Sequence, residues 1–190
     1  MIEWLPFYKE WMYLPKEDFR ILTMLAAHHG NYSGTLTDMC GYFTETAQSK
    51  NQKRIKNSIS SLADGGYLHS EKKGNTFSLQ AIPKETEIPL SGEFVESVMR
   101  HDYSTESVAP ANVLKMYLWA CQNNEELTTN AAISSDLGIS ESTICAAKNV
   151  LEREYKTLNR KRVSKKVNEH FFIYEGQFLQ PNVLWDIPKK

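Results

Sequence analysis

The stretch Ala132-Ile133-Ser134-Ser135-Asp136-Leu137-Gly138-Ile139-Ser140-Glu141-Ser142-Thr143-Ile144, continuing through Ala147 to Leu151-Glu152, decides how the chain is read. Ile133 and Leu137 share one face of a short helix that Thr128-Thr129 starts. Gly138-Ile139-Ser140 then makes a tight turn, and Ser140 is a good N-cap for a helix over about 141–155. Ile144, Ala147 and Leu151 point inward from it. Two short helices joined through a glycine-containing turn cross steeply and hold the second proud of the surface.

Working outward, Pro110 opens an upstream helix to about Gln122, with Val113, Leu114, Tyr117, Leu118 and Cys121 as its apolar stripe. Downstream, a basic strand over 157–165 and an aromatic one over 170–174 flank a turn near Val167-Asn168. The first half repeats this order. Phe19, Leu22, Leu25 and Ala26 predict a helix over 16–29. Thr35-Leu36-Thr37-Asp38 caps a short helix with Met39, Cys40 and Phe43 inward, and Ile55, Ser58, Ile59 and Leu62 mark a third over about 51–64. Gly65-Gly66 stops that helix, and strands over 67–70 and 76–81 around a 71–75 turn read as a hairpin. Ile55 and Ile144 hold the same place in the two units, 89 positions apart. The expected organisation is a first domain over 1–84, an acidic linker over 85–107 in which Phe94, Val95 and Val98 could form a short helix, and a second domain over 108–190 with a short extended tail.

Of 190 residues, 41% are hydrophobic and 24% charged, which excludes wholesale disorder. The longest uncharged apolar run, near 21–27, is far short of the roughly 20 residues of a spanning helix, so no membrane partner is expected. The opening MIEWLPFYKEW lacks a basic start followed by an apolar core and does not read as a secretory signal. Three widely spaced cysteines without a CxxC argue against a disulfide framework or zinc finger and fit a reducing cytoplasm.

The net charge of −1 conceals an uneven distribution. Residues 50–73 carry Lys50, Lys53, Arg54, Lys56, Lys72 and Lys73 against Asp64 and Glu71, a net +4. Residues 141–170 carry eight basic side chains against four acids, again +4. The 85–106 stretch is −5 and the first 49 residues are −3. Two basic patches thus sit at matching points of a repeat on an otherwise acidic chain.

The 132–152 segment resembles the helix-turn-helix of bacterial DNA-binding proteins, and with its hairpin the unit resembles a winged-helix domain. The first unit is similar from Ile55 through Asp64-Gly65-Gly66-Tyr67-Leu68 to the Lys-Lys-Gly-Asn turn, but its 44–50 connection is longer than a tight turn. The resemblance implies a mainly α fold with small β-hairpin wings (α+β), two winged-helix domains in tandem. It implies double-stranded DNA as partner, with no cofactor. Each third helix would enter the major groove, presenting Gln52, Lys53, Arg54, Lys56 and Asn57 in the first unit. The second would present Glu141, Ser142, Thr143, Cys145, Ala146 and Asn149. Lys, Arg, Gln and Asn pair with base edges, which makes the first unit the stronger reader. The wings, Lys72-Lys73 and Arg160-Lys161-Arg162 with Lys165-Lys166, would touch phosphate. Tandem units in a small chain resemble plasmid and phage replication initiators of bacteria and winged-helix transcriptional regulators.

The alternative is a winged-helix scaffold for protein–protein interaction or oligomerisation, which the small neutral residues of the second recognition helix would suit. No enzyme is expected: there is no paired nucleophile and base, no GxxxxGK[ST], and His28-His29 reads as the end of a helix rather than a metal site. The aromatic arm Trp4, Phe7, Tyr8, Trp11 and Tyr13 is denser than one small core requires. It reads either as packing across the first domain or as a homodimer contact.

Overall fold

A computed structural model describes residues 3–101, 103, 105–123 and 128–155, and the backbone of 160–162 and 171–174. The architecture is α+β, and the chain divides into two compact units, Trp4–Ile88 and Pro89–Lys190 with Met1–Glu3. The first contains β1 (Trp4–Tyr8), a 3-10 turn Lys9–Tyr13, α1 (Lys16–Ala27), β2 (Asn31–Thr35), α2 (Leu36–Tyr42), α3 (Ser49–Asp64), β3 (Leu68–Lys73) and β4 (Thr76–Ala81). The chain passes between units in β5 (Glu87–Ser91). The second contains α4 (Gly92–Arg100), α5 (Pro110–Gln122), β6 (Thr128–Thr129), α6 (Asn130–Leu137), α7 (Glu141–Arg153), β7 (Arg160–Arg162) and β8 (Phe171–Tyr174). Both units run helix, strand, helix, helix, strand, strand, and their three-stranded sheets have equivalent orders, β2-β4-β3 and β6-β8-β7.

In the first unit α1 packs on α3. Phe19, Leu22 and Leu25 of α1 and Ile55, Ile59 and Leu62 of α3 are all at most 2% exposed. Each such side chain contributes about 1.5–3 kcal/mol of hydrophobic stabilisation. The three helices end alike. The Gly30 amide reaches the Leu25 carbonyl, the Glu45 amide that of Cys40, and the Tyr67 amide that of Leu62, at 2.7–2.8 Å. Each closure places the residue just before or at the turn in the left-handed region: His29 (φ 54) with Gly30, Thr44 (φ 55) and Gly66 (φ 69). Gly66 therefore supplies the positive φ that stops α3, whereas Gly65 stays right-handed at φ −78.

The aromatic arm belongs to this core. Phe7, Tyr8 and Trp11 are buried, with Phe7 5.7 Å from Trp11 and 6.4 Å from Phe19 between ring centres. Of the arm's five rings only Tyr13, 45% exposed, is largely open. Phe7, Tyr8 and Trp11 are thus used inside the fold, as the packing alternative for the arm expects. The strand β2 is not announced by the sequence; it pairs with β4 from Asn31↔Gln80 to Thr35↔Thr76. The resulting sheet has Tyr32, Leu68, Phe77 and Leu79 on one face, and Asn31, Ser33, His69, Glu71, Lys73, Thr76, Ser78 and Gln80 on the other.

The 85–107 stretch is not a plain linker. It forms β5 and α4, and α4 buries Phe94, Val95 and Val98 while packing on α5. The reason is amphipathic spacing: three apolar positions on one helix face outweigh the acidity of the other. Ser91 caps α4 through the Phe94 amide. Phe94 lies 4.6 Å from Tyr117 and 5.5 Å from Tyr155. The Tyr155 hydroxyl donates to the Ser97 carbonyl at 3.2 Å and so accepts from Tyr103 at 2.9 Å. Helix α5 is buried nearly all round, as suits a central helix. Thr129 and Ser140 cap α6 and α7, and Gly138 turns between them at φ 63. Of the expected hairpin, β7 and β8 pair antiparallel from Arg160↔Tyr174 to Arg162↔Phe172, whereas the turn near 167–168 lies outside the described residues.

Candidate nucleic-acid interface

Helix α3 is strongly amphipathic, with a mainly apolar buried surface and a polar exposed one. Ile55, Ser58, Ile59 and Leu62 are buried. Lys50, Lys53, Lys56, Asn57 and Ser60 are exposed, at spacings that put them on the opposite side. The helix carries no acid before Asp64 in its last turn. This is the geometry of a basic face held out to solvent by an apolar anchor.

Two of the expected base readers are not on that face. Arg54 is half-buried and closes a ring of four charges with Glu17, Arg20 and Glu45. Arg20 Nη1 is 2.8 Å from Glu17 Oε2 and its Nη2 2.8 Å from Glu45 Oε1. Arg54 Nε lies 3.0 Å from Glu17 Oε2, while its Nη2 meets the other oxygen of Glu45. A guanidinium bound on two sides by carboxylates is not presented to a base edge. Gln52 is likewise engaged, its amide nitrogen donating to Thr37 Oγ1 and the Ala47 carbonyl, both at 3.3 Å. Lys53, Lys56 and Asn57 are where the sequence puts them, and Lys50, outside the expected set, joins them.

The connection between α2 and α3, residues 43–48, is longer than a tight turn but firmly held. Asn51 donates to the Thr46 carbonyl at 3.0 Å, Gln52 reaches that of Ala47, and Glu45 is gripped by both arginines. The Arg20 guanidinium also lies 4.3 Å from the centre of the Phe43 ring. At the other end of α2, Thr35 and Asp38 form a reciprocal capping box, and those hydrogen bonds hold the Asp38 carboxyl below its usual range.

The hairpin turn is shorter than expected. Lys73 pairs with Thr76, leaving Gly74-Asn75 as a two-residue turn with Gly74 at φ 58. Lys72 and Lys73 therefore lie in the strand and point to opposite faces of the sheet. Both are exposed; the Lys72 ammonium lies 5.4 Å from the centre of the Phe77 ring. The anticipated single wing patch is split in two.

The second unit offers a different surface. Glu141, Ser142 and Cys145 are exposed, while Thr143, Ala146, Asn149 and Glu152 are half-buried. Lys148, counted toward a basic patch, is fully buried with its ammonium 2.6 Å from Asn130 Oδ1. Arg160, Lys161 and Arg162 fall in β7, and Lys165 and Lys166 lie outside the described residues. No protein-family model matches the chain, and no curated protein or solved structure matches it.

Among the described residues no group of three or more His, Cys, Asp and Glu could hold a metal, and no helix is long and apolar enough to cross a membrane. His28 ends α1, its ring 5.0 Å from Tyr32 and 5.6 Å from Tyr42. Cys40 and Cys121 are buried, and burial pushes the Cys121 thiol up to about 12 and Cys40 upward. Neither is poised as a thiolate at neutral pH.

Proposed function

We propose that each unit is a winged-helix domain and that the first binds double-stranded DNA, laying α3 in the major groove with the β3–β4 hairpin against the backbone. The observation that carries this is the face of Lys50, Lys53, Lys56 and Asn57. Three ammonium groups there can neutralise phosphates, and the carboxamide of Asn57 has the donor–acceptor pair that matches an adenine edge. With Arg54 and Gln52 engaged elsewhere, affinity rests on charge more than on base readout. The role is that of a replication initiator of plasmid or phage type, or of a transcriptional regulator, acting in the cytoplasm without a cofactor.

A different reading suits the second unit. Helix α7 exposes Ser142 and Cys145 beside Glu141, with Lys148 buried and no exposed basic side chain until Arg153 at its end. A small, weakly acidic surface repels phosphate and accommodates a protein partner, so we assign that unit to protein contact.

Fluorescence anisotropy of a mixed-sequence duplex across a salt series tests the DNA reading. Three to five phosphate contacts give a slope of log K on log salt of about −2.7 to −4.5. A flat slope, or no binding at low salt, would leave protein interaction as the function of both units.

A further inference from the structure

We infer that Glu45 is a positioning residue for DNA binding: through Arg20 and Arg54 it fixes the angle at which α3 leaves the 43–48 loop and presents its basic face. This rests on the DNA reading above and extends it to a carboxylate that touches no DNA. Three observations converge. Glu45 uses both oxygens, one on Arg20 of α1 and one on Arg54 of α3, so it ties the loop that carries it to the two helices packed against each other in the core. Glu17 closes the same ring from the first turn of α1, making the tie a cycle rather than a single strut. The preceding residue, Thr44, is a β-branched residue at φ 55. Such residues rarely enter the left-handed region, and a strained position persists only where its surroundings over-determine it. Here the strained turn is what aims Glu45 at the arginines: the Glu45 amide bonds the Cys40 carbonyl at 2.8 Å and the Thr44 amide bonds that of Gly41 at 3.0 Å. The ion pairs and the strain are two sides of one device.

The device also explains why two polar residues near the start of α3 are not on its DNA face. Gln52 and Arg54 hold the loop from the helix side, while Lys50, Lys53, Lys56 and Asn57 are left to the solvent. A carboxylate near a DNA-binding helix is ordinarily a liability, since it repels phosphate. The sign of the effect of removing it therefore separates a bystander from a positioning group.

The test measures duplex affinity and amide hydrogen exchange over residues 45–54 for Glu45→Gln in the full chain. Removing one half-buried charge partner is expected to speed exchange there and to weaken DNA binding on the order of tenfold, despite removing a negative charge. The same substitution in a Thr44→Gly background keeps the test informative if Glu45→Gln alone folds poorly, because glycine adopts φ 55 without strain. There the loss in affinity should shrink, since the turn no longer needs the ion pairs to hold it. Unchanged exchange, or tighter binding in Glu45→Gln, would overturn the inference. If exchange quickens but the parent chain binds no duplex at low salt, the DNA reading fails and the holding of α3 by Glu45 stands.

Discussion

Replacing Lys50, Lys53 and Lys56 together by alanine is expected to weaken duplex binding on the order of a hundredfold at moderate salt, and to make the salt slope shallower by about 2.7. All three side chains are exposed on the face of α3 opposite Ile55 and Ile59, and the helix carries no acid before Asp64 to pair with them. Alanine raises helix propensity and leaves the buried face intact, so the fold should be unaffected or slightly stabilised. Thermal melting of the variant, read beside its anisotropy titration, separates lost contact from lost structure. If affinity held while the slope stayed unchanged, the charges of α3 would not be facing DNA.

Ile144→Ala in α7 is expected to destabilise the second unit by about 2–5 kcal/mol, a large share of the stability of a small domain. Ile144 is fully buried beside Leu151 and Ala147, and truncation leaves a cavity that rigid helices cannot fill. Since the proposed DNA face belongs to the first unit, duplex affinity should persist under conditions where the second unit has melted. Calorimetry paired with anisotropy on this variant gives both numbers. Loss of DNA binding in step with melting of the second unit would place the DNA contact there instead.

The helices were legible because apolar residues recur at helical spacing within each: Ile55, Ile59 and Leu62, with the small Ser58 between them, are the buried positions of α3 and lie where the period places them. Caps were legible for the same local reason, as with Thr35 for α2 and Ser140 for α7. The strand β2 was not, because Asn-Tyr-Ser-Gly-Thr has no apolar alternation and owes its extension to pairing with β4. Lys148 was legible but obscured by counting charge in blocks: it stands four residues after Ile144 and three before Leu151, on the buried side of α7. Arg54 was not legible at all. Its helical position adjoins the exposed face, and only the return of the 43–48 loop brings Glu45 to it from nine residues away. Charge totals locate basic segments; only packing decides which cations remain available.

We propose that DNA meets the first unit along α3. Titrating the isotope-labelled full chain with a mixed-sequence duplex and following backbone amide shifts tests it most directly. Shifts are expected to concentrate at residues 50–57 of α3 and 72–76 of the hairpin, with α7 little changed. Shifts confined to α7 and the second unit, or no shifts at low salt, would contradict it.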